Sequence, residues 1–195
     1  MSANSIERQG VYGKLHLKEK IGYGMGDAGS CMIWSVLALY LTWFYTDVYG
    51  LAPGVVGTLF LVIRIFDAFS DPVMGAICDR TRSRWGKFRP WLLWMALPFG
   101  LGAVLMFTTP DLSMNGKIVY AWVTYLVMSL IYTAINIPYC SVAGVITLNQ
   151  KERLGCLSWR FFLNGLATLI VSSSILPLTD WLGNGNRAAG FQLTM

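Results

Sequence analysis

The sequence predicts an all-α integral membrane protein with about five transmembrane helices, and three observations support this. Only 13% of the 195 residues are charged and 55% are hydrophobic, whereas soluble domains carry about 25% charged residues. Residues 28–46, 90–110, 118–150 and 161–179 contain no Asp, Glu, Lys or Arg, and each stretch approaches or exceeds the roughly 20 apolar residues that span a bilayer. Apolar and polar residues do not alternate within these stretches, as they would in a membrane β-barrel.

The domain organisation is predicted from these stretches and from residues 55–78, a run that is apolar apart from Arg64, Asp67 and Asp71. Residues 1–24 are expected to form a polar cytoplasmic tail, and residues 25–182 the transmembrane region. Residues 183–195 are expected to form an external loop and the truncated start of a sixth helix, because the sequence turns apolar again at Gly190. The chain is therefore expected to be an N-terminal fragment, the alternative being an odd-spanning protein with a short amphiphilic end. The spans are predicted near residues 27–48, 54–78, 89–109, 118–142 and 158–182.

The distribution of basic residues predicts the orientation in the membrane. Twelve of the 15 Lys and Arg residues lie in the tail, in the connection 79–90 or beside the start of the fifth span, whereas Lys117 and Arg187 lie on the opposite side. Cytoplasmic loops of membrane proteins are enriched in Lys and Arg, so the N-terminus is expected in the cytoplasm. The same bias accounts for the net charge of +5, and no nucleic-acid partner is expected.

Charged residues inside the second span form the strongest candidate site. Asp67 and Asp71 are four residues apart and share a helical face, with Arg64 and Ser70 beside them. Charges within a bilayer are costly and usually functional. Two neighbouring carboxylates repel each other unless a cation lies between them or one holds a proton. This predicts a site for Na⁺ or H⁺, helped by carbonyls freed at Pro72. The alternative is a structural ion pair between Asp67 and Arg64.

Polar residues in the other spans are candidates for substrate contact. Thr133 and Asn136 share a face of the fourth span, where they either hydrogen-bond a neighbouring helix or bind a sugar hydroxyl. Arg160, near the start of the fifth span, either donates to sugar hydroxyls or anchors the helix end at the membrane interface. Asp27 lies about one turn inside the membrane boundary and is expected to face a central cavity.

The sequence contains no recognisable enzymatic or metal-binding motif. The four cysteines lie in or beside the spans without CxxC spacing, and His16 lies in the polar tail, so neither a disulfide framework nor a metal site is expected. The glycine-rich stretch 22–29 follows no strand, which excludes a dinucleotide-binding loop. The spans hold no Ser/His or metal-ligand set. No enzymatic activity and no cofactor are therefore expected.

Several motifs together resemble the glycoside-pentoside-hexuronide:cation symporters of the major facilitator superfamily, from about Lys18 to the end of the chain. The resemblance implies the N-terminal half of a transporter of the bacterial inner membrane, with a sugar site between two similar halves. It implies uptake of a glycoside coupled to Na⁺ or H⁺, and the missing C-terminal half as a partner. The alternative is a truncated, non-transporting membrane remnant or helix-interaction partner. The motifs are residues 22–27, 44–47, 57–61, 67–72, 80–90 and 136–139.

Within this family, the sequence resembles the xyloside and glucuronide transporters more than melibiose permease, whose first-helix Lys–Asp pair is replaced here by Ser30 and Cys31. The resemblance also implies roles for individual residues. The implied cation ligands are Asp67, Asp71, Ser70 and Thr133, the implied substrate ligands are Asp27, Asn136, Arg160, Tyr139 and Arg64, and the implied conformational latch after the second span comprises Asp79, Arg80, Arg84, Lys87 and Arg89.

Overall fold

The computed structural model describes residues 15–81, 84, 88–147, 149–183 and 187–194. Within these ranges all the regular secondary structure is helical. A π-helical turn, Phe44–Val48, follows the first helix before the chain reverses. The helices are α1 (Leu17–Trp43), α2 (Pro53–Arg80), α3 (Arg89–Met106), α4 (Met114–Ile146), α5 (Gln150–Gly183) and α6 (Arg187–Thr194).

Four helical segments are long and apolar enough to cross a membrane: Leu17–Val48, Pro53–Arg80, Met114–Val142 and Gln150–Gly183. The apolar segment Pro90–Met106 is shorter and corresponds to the third predicted span. Helices α1 and α5 both begin before the spans predicted from hydropathy. Hydropathy marks the apolar part of a helix, whereas its start depends on satisfying free backbone N–H groups. At the start of α1, for example, the His16 N–H donates to Glu19 Oε2 at 2.8 Å.

Helices α1 and α5 pack side by side in parallel. Lys20 pairs with Glu152 at 2.7 Å, Ser35 with Thr168 at 3.0 Å, and the Tyr40 hydroxyl donates to a backbone carbonyl of α5 at 3.1 Å. The partners in each pair are 132 or 133 residues apart. A constant separation along two helices means that they run in the same direction in fixed register.

Small residues permit close helix approach at two points of the bundle. A Cβ added to Gly24 would lie 2.6 Å from Leu163 Cδ1 and 3.2 Å from the Trp159 carbonyl oxygen. A Cβ at Gly190 on α6 would clash with the Thr179 carbonyl oxygen of α5. Glycine at these positions lets the backbones approach, and close approach is the main source of packing energy between membrane helices.

The apolar interior is built around aromatic rings at one end of the bundle. Phe44 packs edge-on against Phe107 with ring centroids 4.8 Å apart, and Phe107 stacks on Phe191 of α6 at 5.5 Å. The outward faces are also apolar, since Trp94 on α3 and Trp181 on α5 are each 75% exposed. Large apolar side chains on the outside fit a lipid-covered surface rather than a water-covered one.

Candidate functional site

The two aspartates of the second span lie against α4. Asp67 Oδ1 accepts a hydrogen bond from Ser129 Oγ at 2.5 Å, and Asp71 Oδ1 accepts one from Thr133 Oγ1 at 3.0 Å. The partners in each pair are 62 residues apart, so α2 and α4 are parallel. Two successive turns of these helices each supply one acid–hydroxyl pair. Both carboxylates are half-buried. The two hydrogen-bonded pairs, Asp67–Ser129 and Asp71–Thr133, lie one above the other inside the bundle and are called the aspartate ladder.

The ladder carries more negative charge than its surroundings neutralise. Arg64 Nη1 lies 3.8 Å from Asp67 Oδ2, and the arginine side chain is 66% exposed. A pair this long and this exposed contributes little stability. Within the described part of the chain, no lysine or arginine lies within salt-bridge distance of Asp71. A mobile cation or a proton would relieve the repulsion between the two carboxylates.

Ser70 does not join this ladder. The sequence predicted its hydroxyl among the cation ligands, but in the structure it donates to the Asp67 backbone carbonyl at 3.3 Å. Serine side chains within helices commonly bond their own backbone in this way. Ser129 takes the place next to Asp67, and the sequence analysis missed it. The available signal was the spacing of Ser129 and Thr133, which repeats the four-residue spacing of the two aspartates.

A second buried polar cluster joins α1 to α5. Asp27 is 6% exposed, and its Oδ2 accepts hydrogen bonds from Arg160 Nε at 2.5 Å and from Asn164 Nδ2 at 2.6 Å. Arg160 is therefore held within the bundle by a carboxylate. A position inside the bundle is what contact with a substrate would require, the first of the two interpretations of Arg160 drawn from the sequence. Asn164 Oδ1 is buried and has no hydrogen-bond partner among the described residues.

Helix α4 extends this cluster. Arg160 Nη1 contacts Cys140 Sγ at 3.5 Å, and the Cys140 thiol donates to Asn136 Oδ1 at 3.6 Å. The Arg160 guanidinium also lies 5.2 Å from the centre of the Tyr139 ring, a cation–π distance. Four of the five predicted substrate ligands, Asp27, Asn136, Tyr139 and Arg160, are therefore brought together. Asn164 and Cys140 belong to the same cluster and were not among the predicted ligands.

Arg64, the fifth predicted substrate ligand, lies elsewhere, between the aspartate ladder and an aromatic stack. Its guanidinium carbon is 5.9 Å from the centre of the Trp34 ring. The Trp34 ring stacks on Tyr132 of α4, with centroids 4.0 Å apart and planes 10° apart. Trp34 and Tyr132 therefore lie next to the arginine that pairs with Asp67.

The predicted latch lies partly outside the described residues. Asp79 and Arg80 at the end of α2, and Arg84 after it, are exposed, and no ion pair involves them within the described part. Lys87 and the side chain of Arg89 are outside what the structure describes. Nor do the described residues contain a cluster of three or more His, Cys, Asp or Glu side chains suited to a metal ion.

A helical bundle with acidic residues paired inside its apolar spans is typical of ion-coupled membrane transport proteins. The chain matches the family model described as MFS/sugar transport protein over residues 22–195, and it belongs to that family. The predicted family and its all-helical membrane fold are thereby confirmed.

Curated relatives agree with this assignment. The chain is 53% identical over 178 residues to the inner membrane symporter YicJ of Escherichia coli (strain K12). The aligned region covers 91% of this chain and 39% of YicJ. It is 42% identical over 171 residues to the isoprimeverose transporter of Lactiplantibacillus pentosus, covering 88% of this chain and 36% of the relative. The glucuronide carrier protein homolog of E. coli (strain K12) is 40% identical over 134 residues, covering 68% of this chain and 29% of the relative.

The chain spans less than half the length of these relatives. These relatives are named as a symporter, a transporter and a carrier, and none as an enzyme. This agrees with the prediction from the sequence that the chain has no enzymatic activity.

Proposed function

We propose that this chain forms part of a cation-coupled glycoside symporter, in which Na⁺ or H⁺ binds at the Asp67–Asp71 ladder and the sugar binds at the Asp27–Arg160 cluster. The distribution of Lys and Arg residues supports a cytoplasmic N-terminus, by the positive-inside rule. The observation that carries the proposal is the ladder itself. Both carboxylates are half-buried, and in the described part of the chain a loosely held Arg64 pairs with Asp67 while no cationic side chain pairs with Asp71, so the site lacks positive charge.

The oxygen atoms of the ladder suit a hard monovalent cation. Two carboxylates and the hydroxyls of Ser129 and Thr133 are hard ligands, and each carboxylate uses one oxygen in its bond to α4. The second oxygen of Asp71 has no ion-pair partner in the described part of the chain, and that of Asp67 faces Arg64. A cation bound between these two oxygens would compete with Arg64 for Asp67.

The Asp27 cluster has the chemistry of a sugar site. It offers a carboxylate acceptor, a guanidinium with several N–H donors, and amide groups from Asn136 and Asn164. The unpartnered Asn164 Oδ1 is a buried acceptor, and a sugar hydroxyl is a suitable donor for it. Buried polar atoms are nearly always hydrogen-bonded, so a polyhydroxylated ligand would satisfy an atom that the described residues leave free. We propose a xyloside or a glucuronide as the substrate class.

The test is uptake of labelled glycosides into membrane vesicles under imposed Na⁺ or H⁺ gradients. The panel contains isoprimeverose, methyl β-D-xyloside and methyl β-D-glucuronide. The chain is assayed as printed and with any residues that its reading frame encodes beyond Met195. Gradient-driven uptake of a panel member by either form supports the proposal. Absence of gradient-driven uptake from both forms would sink it and leave the non-transporting alternative.

Single substitutions locate the cation site. Asp71→Asn is expected to abolish stimulation of uptake by the cation, because one of the two carboxylates that create the charge deficit is lost. Ser129→Ala is expected to raise the cation concentration for half-maximal stimulation by about tenfold, the equivalent of one hydrogen bond to a charged group at ~1.5 kcal/mol. The matched control is Ser70→Ala, which removes a hydroxyl bonded only to its own helix. Equal effects of the two serine substitutions would contradict the ladder as the cation site.

A further inference from the structure

A cavity of about 300 Å³ lies among α1, α2 and α4, next to the aspartate ladder, with which it shares Arg64. Its walls combine aromatic faces with hydrogen-bonding groups. Trp34 and Phe60 supply rings, and Arg64, Tyr125 and Thr42 supply donors, while leucine and alanine side chains of α1 complete the lining. The volume is at the small end of the range for ligand pockets and suits one sugar ring.

Trp34 is a rigid wall of this cavity. Tyr132 stacks on one face of the indole at 4.0 Å, and Phe99 stacks in turn on Tyr132 at 6.0 Å. Since Tyr132 fills that face, the Arg64 guanidinium, 5.9 Å from the ring centre, lies over the opposite face. This distance exceeds van der Waals contact, and the arginine side chain is 66% exposed. In the described part of the chain, the ring contacts of Trp34 are thus the Tyr132 stack on one face and this loosely held arginine on the other.

A sugar ring matches this combination of groups. A pyranose has an apolar face of C–H groups, which packs against an aromatic ring, and a rim of hydroxyls, which need donors and acceptors. Trp34 supplies the flat face, and Arg64 supplies N–H donors that its long contact with Asp67 leaves largely unused. A purely apolar ligand would leave these donors unsatisfied when it excluded water.

The position of Trp34 relative to Asp27 indicates which ring would bind there. The two residues are seven positions apart on α1, which is about 10 Å along the helix axis. This is close to the length of two linked sugar rings. We propose that the cavity beside Trp34 is a subsite for the second ring of a two-ring glycoside whose first ring binds at the Asp27–Arg160 cluster. The subsite rests on the proposed function, and it makes the protein selective for disaccharides over single-ring glycosides.

The experiment compares xylobiose with methyl β-D-xyloside, which share the same sugar unit but differ in ring number. Dissociation constants for both are measured by titration calorimetry on the purified protein in lipid nanodiscs, expressed with all that its reading frame encodes. Trp34→Ala is expected to weaken xylobiose binding by about tenfold and methyl β-D-xyloside binding by less than twofold. Trp34→Phe, which keeps a ring against Tyr132, is expected to restore most of the xylobiose affinity. Trp94→Ala, on the exposed face of α3, is the matched control and is expected to change neither constant.

The outcomes separate the subsite from the function on which it rests. A selective loss for xylobiose, rescued by phenylalanine, supports the subsite. Equal losses for both sugars, or no loss for either, would overturn the subsite while leaving glycoside binding intact. If the unsubstituted protein bound neither sugar, the proposed xyloside function and the subsite would both be overturned. If the Trp34→Ala protein fails to fold, Trp34→Phe decides. A phenyl ring covers less of a sugar than an indole, so a xylobiose-selective loss of about twofold is expected for this variant, and an unchanged ratio of the two constants would overturn the subsite.

Discussion

Substitution of Asp27 by asparagine tests whether the α1–α5 polar cluster stabilises the bundle. The carboxylate is 6% exposed and its Oδ2 accepts hydrogen bonds from Arg160 and Asn164 at 2.5 and 2.6 Å. Asp27→Asn removes the charge and leaves the Arg160 guanidinium inside the bundle without its counter-ion. Breaking a buried ion pair in this way costs about 3–5 kcal/mol. We therefore expect the free energy of unfolding to fall by about that amount.

The assay is reversible unfolding of the purified chain in detergent micelles, followed by tryptophan fluorescence and circular dichroism. A double-mutant cycle with Arg160→Gln isolates the pair from other effects of each substitution. The double variant is expected to be more stable than the sum of the two single losses implies, by up to ~3 kcal/mol. Asp180→Asn is the control, because Asp180 is exposed on α5 and exposed substitutions change stability by about 0.5 kcal/mol or less.

Two results would refute the reasoning. One is a loss for Asp27→Asn no larger than that for Asp180→Asn. The other is simple additivity in the cycle, with a coupling energy below ~0.5 kcal/mol, since residues that do not interact add within that margin. Either result would mean that the Asp27–Arg160 contact contributes nothing to the stability of the α1–α5 pair.

Two further predictions follow from the same packing. Gly24→Ala is expected to separate α1 from α5 and to destabilise the bundle by about 1–3 kcal/mol, as overpacking does. The control is Gly22→Ala, which has open space around it and should be neutral or slightly stabilising by helix propensity. Equal unfolding free energies of the two variants would contradict the close approach of the helices at Gly24. Maleimide is expected to label the exposed Cys140 before the buried Cys156, and to inhibit glycoside uptake because the adduct fills the space beside Arg160. Mass spectrometry measures the order of labelling, and uptake is compared before and after labelling. Inhibition that persists in Cys140→Ser would contradict a position of Cys140 beside the sugar site.

The number of helices and the position of the acidic residues could be predicted from the sequence. A bilayer requires long apolar segments, and every backbone group within them must be hydrogen-bonded internally, so the charge-free stretches had to be helices. Helical periodicity alone places Asp67 and Asp71 on one face. The cost of charge inside a membrane then marks them as functional candidates.

The partners of these residues were decided by the tertiary structure. Ser70, beside the aspartates in the sequence, bonds its own backbone, whereas Ser129, 62 residues away from Asp67, donates to the carboxylate. Likewise, Asp27 meets Arg160 and Asn164 across 133 and 137 residues. Hydropathy states that a segment spans the membrane but not which helix it packs against or in what register. Those depend on side-chain interlocking and on small residues such as Gly24, whose contacts exist only once the helices are assembled.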